Sequence, residues 1–80
     1  MLTVQVRLFA TLRRHFPDLK LGEAMSVELP DGATVGQLIA HLGLPPQEIK
    51  TVFVNNLIRE MESPLADGDV VGIFPPVGGG

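Results

Sequence analysis

Asp67-Gly68-Asp69-Val70-Val71-Gly72-Ile73-Phe74-Pro75-Pro76-Val77-Gly78-Gly79-Gly80 joins a turn, a strand and a tail without side chains at its tip. Asp-Gly-Asp reads as the turn, since Asp caps free amides and Gly takes positive φ at no steric cost. Val70 to Phe74 reads as a strand with apolar residues on both faces, the pattern of a central strand covered on two sides. Pro75-Pro76 ends it, because proline lacks an N–H and holds the chain extended. From Pro75 the tail spans roughly 20 Å at about 3.3 Å per residue, enough to enter another protein while the globular body stays outside. A frayed terminus or a linker is also Gly-rich. The apolar Phe74–Val77 segment argues against simple fraying here.

Working back from that strand, Thr51 to Val54 and Leu57 to Glu60 flank Asn55-Asn56. Asparagine tolerates positive φ, so the pair suits a two-residue hairpin turn. Further back, Thr34 and Gln37 have capping-box spacing, and Val35, Leu38, Ile39 and Leu42 form one apolar helical stripe. Gly43 stands where a left-handed C-terminal cap belongs, and Pro45-Pro46 prevent continuation. At the N-terminus Leu2, Val4, Val6 and Leu8 alternate with polar residues, which predicts a half-buried strand. Phe9, Leu12 and Phe16 then follow helical spacing until Pro17. Residues 17–24 read as a loop, and Met25, Val27 and Leu29 as a second strand ending at Pro30-Asp31-Gly32. The order strand, short helix, strand, helix, hairpin, strand predicts an α+β fold, a mixed sheet with the main helix on one face. The first and last strands are the most apolar and are expected side by side in its middle.

Eighty residues predict one domain over 1–80, with 75–80 as a functional tail. A chain this size buries a little over about 60 % of its unfolded surface, room for one core, and an apolar content of 45 % can fill it. With no cysteine, disulfides and thiolate chemistry are excluded. A net charge of −3 argues against general nucleic-acid binding, which needs a basic face. No apolar run approaches the ~20 residues of a membrane span, and the N-terminal residues show no basic segment followed by an apolar one. A soluble, cytoplasmic protein is expected, with no nucleic-acid or membrane partner.

His15 and His41 have no partner at metal-ligand spacing, so no metal site is expected. Asp67 and Asp69 flank a glycine and read as turn formers rather than an acid–base pair. Arg13-Arg14 reads either as a solvated face or as one Arg aimed at a partner's carboxylate. Gly32-Ala33-Thr34-Val35-Gly36 lacks the further Gly and Lys of a phosphate loop. No nucleophile triad or dinucleotide fingerprint is present. The remaining reactive group is the α-carboxylate, ionised at neutral pH and a poor acyl donor until adenylated. A sulfur nucleophile could then displace AMP, with no Cβ on glycine to obstruct it.

The ending quoted above resembles the small, sulfur-carrying subunit of molybdopterin synthase. Val6-Arg7-Leu8-Phe9-Ala10-Thr11-Leu12-Arg13 is similar to that family's first strand and helix, and Val54-Asn55-Asn56 and Ser63-Pro64-Leu65 fit its middle. The resemblance spans the whole chain and rests most on Phe-Pro-Pro-Val before the terminal glycines. It implies a ubiquitin-like β-grasp fold. It also implies that an E1-like enzyme uses ATP to adenylate Gly80, and that a sulfurtransferase system converts it to a thiocarboxylate. The tail, Pro75, Pro76, Val77, Gly78 and Gly79, would then enter the large synthase subunit, which supplies the catalysis. No cofactor is expected on this chain itself. Phe9, Arg13, Phe74 and Ile58 are the partner contacts that the resemblance implies. Gly78 departs from the family's usual Ala, Ser or Thr without blocking the chemistry. Carriage of sulfur for another product, such as the thiazole of thiamin, is an alternative that the Phe-Pro-Pro-Val lead-in disfavours. A ubiquitin-like modifier joined to target lysines and a plain interaction module are the others.

Overall fold

Side-chain alternation sorts β1 (Leu2–Leu8) into a face that buries Leu2, Val4, Val6 and Leu8 and one that carries Thr3, Gln5 and Arg7. The computed structural model describes residues 1–20 and 22–76. β2 (Met25–Leu29), α1 (Val35–Leu42), β3 (Thr51–Val54), β4 (Leu57–Ile58) and β5 (Val70–Phe74) follow. The sheet runs β2-β1-β5-β3-β4, with β1 and β5 parallel and the other pairs antiparallel. The first and last strands thus lie side by side in the middle, as their composition predicts. This is the ubiquitin-like β-grasp fold.

One core forms between the sheet and α1. Val35, Leu38 and Ile39 of the helix join Val4, Val6, Val71 and Ile73 of the central strands in a single buried cluster. Each such side chain contributes about 1.5–3 kcal/mol when fully buried. Both ends of α1 are closed locally. Thr34 N–H donates to Gln37 Oε1 (2.8 Å) and Gln37 N–H to Thr34 Oγ1 (3.2 Å), the reciprocal bonds of a capping box. Gly43 ends the helix at φ 72°, a left-handed cap.

The turns that position β5 use the polar residues the sequence singles out. Asn55 and Asn56 take φ of 52° and 70°, which makes the two-residue hairpin turn between β3 and β4. Asn55 also ties that turn to β5, its Oδ1 accepting from Val70 N–H (3.0 Å) and its Nδ2 donating to Asp69 Oδ1 (2.9 Å). Asp69 Oδ2 accepts from Ala66 N–H, and Asp67 Oδ1 from Thr3 N–H, each at 2.8 Å. Both aspartates therefore act on backbone amides, as turn formers do.

Three local expectations change. The segment after β1 is a 3-10 helix, Ala10–His15, and Phe9 stands outside it in extended backbone at φ −116° and ψ 151°. Phe9 thus keeps the alternation of β1 and faces away from Leu8, while Leu12 is buried in the core. Ala10, at φ 53°, makes the break between the two periods. The strand expected over Leu57 to Glu60 is only Leu57–Ile58, since Arg59 N–H makes the last bond to Val52 O (2.9 Å) before the chain turns away. β5 is central but covered on one side only: Val71 and Ile73 are buried, whereas Val70 is exposed and Gly72 and Phe74 are half-buried.

Residues 46–48 add a second 3-10 turn, unmarked by periodicity. Its Glu48 Oε1 lies 2.9 Å from Arg14 Nη2 and 3.0 Å from His15 Nε2, tying the two 3-10 segments together. The bond from His15, with the Arg14 charge beside it, holds the Glu48 carboxyl below its ordinary range. Arg14 is therefore a structural ion-pair partner rather than a free cation.

Candidate functional site

The face of the sheet opposite α1 carries three of the four phenylalanines, while Phe16 packs against the core. Phe9 extends the open face of β1, Phe74 ends β5, and Phe53 lies on β3 between the inward-facing Val52 and Val54. The rings of Phe9 and Phe74 stack at 4.2 Å with their planes 3° apart, and Phe53 meets Phe74 edge to face at 5.4 Å. Phe74 is thus the middle ring of three. Such pairs contribute about 0.5–1.5 kcal/mol each beyond the area they bury. Next to them Ile58 is 65 % exposed and Val70 44 %. Single exposed apolar residues are ordinary; here Ile58 and Val70 lie beside three half-buried aromatic rings on the same face.

Strand register places the patch around Gly72. Arg7, Gly72, Phe53 and Ile58 are consecutive cross-strand partners on β1, β5, β3 and β4. A Cβ on Gly72 would stand 3.2 Å from Phe9 Cε2 and 3.5 Å from Phe74 Cε1, so the missing side chain lets the two rings pack down onto the strand. What remains is a groove of about 280 Å³ bounded by Arg7, Phe53, Asn56, Val70 and the Phe9–Phe74 pair.

The expected site residues fall into four groups. Phe9, Phe74 and Ile58 share the open face, the first two in direct contact. Arg13 sits on the 3-10 helix, does not line the groove, and has a buried Nε with no hydrogen-bond partner among the described residues. Pro75 and Pro76 leave the end of β5, where Lys50 N–H still holds Phe74 O at 2.9 Å. Val77, Gly78, Gly79 and Gly80 lie outside the described residues. Phe53, Val70, Gly72 and Arg7 were not singled out from the sequence as site residues. Strand parity carried the signal: once Val52 and Val54 point inward, Phe53 must point out, and Val70 and Phe74 must oppose Val71 and Ile73.

His15 is occupied by Glu48, and His41 lines a shallow open groove beside β2, far in sequence from the tail. No helix among the described residues is long and apolar enough to cross a membrane.

The ThiS family matches residues 6–80 of the chain. Among solved structures, the putative molybdopterin converting factor subunit 1 from Pyrococcus furiosus is 28% identical with a TM-score of 0.78, over 96% of this chain and 100% of that one. Small archaeal modifier protein 1 from Haloferax volcanii is 23% identical with a TM-score of 0.76, over 96% of this chain and 100% of that one. A complex of subunits 1 and 2 of the molybdopterin-converting factor from Helicobacter pylori contains a similar chain, 24% identical with a TM-score of 0.63, over 99% of this chain and 100% of that one. The last two likenesses speak to the fold alone. No curated protein gives a significant sequence match.

Proposed function

The chain belongs to the ThiS family and has the β-grasp fold of sulfur carriers, and from that premise we propose that it donates sulfur in molybdopterin synthesis. The observation that carries this reading is the position of Phe74. It is both the middle ring of the open aromatic patch and the last strand residue before the Pro-Pro-Val-Gly-Gly-Gly tail. A partner that docks on the patch therefore holds the root of the tail and aims its end at a site some 20 Å away, at about 3.3 Å per residue.

The chemistry belongs to the end of the tail. The Gly80 carboxylate attacks the α-phosphorus of ATP on an E1-like enzyme, and pyrophosphate leaves. Hydrosulfide delivered by a sulfurtransferase system then attacks the acyl carbon, AMP leaves, and a thiocarboxylate remains. The tail next enters the large subunit of molybdopterin synthase, whose own groups catalyse transfer of the sulfur to the pterin precursor. In this scheme the chain is a co-substrate and binds no cofactor. The Pyrococcus relative, named as a subunit 1 of the molybdopterin converting factor, supports this pathway. So does the Phe74-Pro75-Pro76-Val77 lead-in, which disfavours thiazole synthesis as the acceptor pathway.

The docking half of the proposal is tested by Phe74→Ala. Truncating the middle ring of three should weaken the complex with the large subunit by about 2 kcal/mol or more, roughly 30-fold, as for a central aromatic anchor. Titration calorimetry reads this directly. Unchanged affinity would contradict a docking role for the open face.

A further inference from the structure

The groove at Gly72 has a shape and a charge that specify what fills it. Its floor is the backbone of β5 at Gly72, with Val70 at one end and the Phe9–Phe74 pair at the other. Across the sheet it is flanked by Arg7 on β1 and Phe53 on β3, the residues in direct register with Gly72. We propose that this groove receives one apolar side chain of the large-subunit partner, and that Arg7 pairs with a carboxylate beside that side chain. The proposal rests on the carrier reading above and adds the chemistry of the docking segment.

Size argues for a side chain. Small-molecule sites usually occupy about 300–1,000 Å³ and enclose most of their ligand. This groove, about 280 Å³ and open on the sheet face, is smaller. A cavity of about 150 Å³ already takes a benzene-sized group, so one large apolar side chain fits with its backbone outside. The lining is apolar apart from Arg7 and Asn56 at the rim, which also favours a hydrocarbon occupant.

Charge argues for the carboxylate. Arg7 is exposed, is the only charged residue lining the groove, and makes no ion pair among the described residues. A cation here stands against a net charge of −3 for the whole chain, so the groove is locally of the opposite sign, although the same face carries Glu28 on β2. The guanidinium fork suits a carboxylate better than a Lys ammonium does, because it can make two parallel hydrogen bonds.

The test is calorimetric titration of the full chain with the large subunit of molybdopterin synthase from the same source, at low and moderate salt. Arg7→Glu should weaken binding at least tenfold and remove the salt dependence shown by the parent chain, whereas Arg7→Lys should recover part of both. Gly72→Val should also weaken binding at least tenfold, by filling the groove and pushing the Phe9–Phe74 pair off the strand, with a thermal melt to show that the domain still folds. Parent binding with an indifferent Arg7→Glu overturns this proposal and leaves the carrier reading standing. No binding by the parent chain overturns both. AMP shifting the Gly72 amide resonance of the free chain would assign the groove to a nucleotide and overturn the proposal.

Discussion

Adding one residue after Gly80, or deleting Gly80, is expected to abolish sulfur transfer while leaving the melting temperature at its parent value. The two halves of that result come from different parts of the chain. The buried core ends at Ile73, and the last strand ends at Phe74. Gly80 has no side chain to bury, so changing it is expected to remove no core side chain. The proposed chemistry needs a terminal carboxylate on a residue without a Cβ, at a fixed reach from the proposed docking face. An added residue displaces that carboxylate by about 3.3 Å, and a displacement of about 1 Å from reacting geometry can already cost 100-fold. Turnover retained by the extended chain would rule out terminal chemistry. A lowered melting temperature would mean that the tail packs on the body.

The second large effect is on stability. Leu38→Ala should cost about 2–5 kcal/mol, the range for truncating a buried leucine. Leu38 has no exposed surface and sits in the middle of the only α-helix in the described residues, facing the central strands. At about 0.05–0.15 kcal/mol per residue, a chain of this length has a total stability of about 4–12 kcal/mol. One methylene-rich side chain thus accounts for a large share of it. The melting temperature should fall by at least about 8 °C, given roughly 4–8 °C per kcal/mol for domains of this size. A melt like that of the parent would overturn the placement of the α1 stripe against the sheet.

Much of the fold was legible because local chemistry and burial agree. Thr34, Gln37 and Gly43 delimit α1, and its stripe faces the core. Asn55-Asn56 and Asp67-Gly68-Asp69 turn the chain where their conformational tolerance predicts. Phe9 was misplaced for an instructive reason. Its spacing to Leu12 and Phe16 satisfies a helical period, yet its spacing to Arg7 equally satisfies a strand, and backbone pairing decides between them. Phe9 N–H donates to Ile73 O at 3.2 Å, which carries the strand geometry one residue further. β5 misled for a related reason. Apolar residues on both parities look the same whether the second face is covered by the chain itself or left open, as it is here. The groove at Gly72 could not be read from sequence at all, since it depends on the register that sets Arg7 and Phe53 on either side. The tail, in contrast, was read from composition and a resemblance, and its chemistry is a proposal about an atom that no packing argument reaches.

That atom is where the account is most directly tested. Intact mass spectrometry of the purified chain is needed after incubation with ATP, an activating enzyme and a sulfur donor from its own source. The account predicts a mass gain matching exchange of one oxygen for sulfur, localised by fragmentation to Gly80. An unchanged mass, with the same activating enzyme shown to be competent on another carrier, would contradict it.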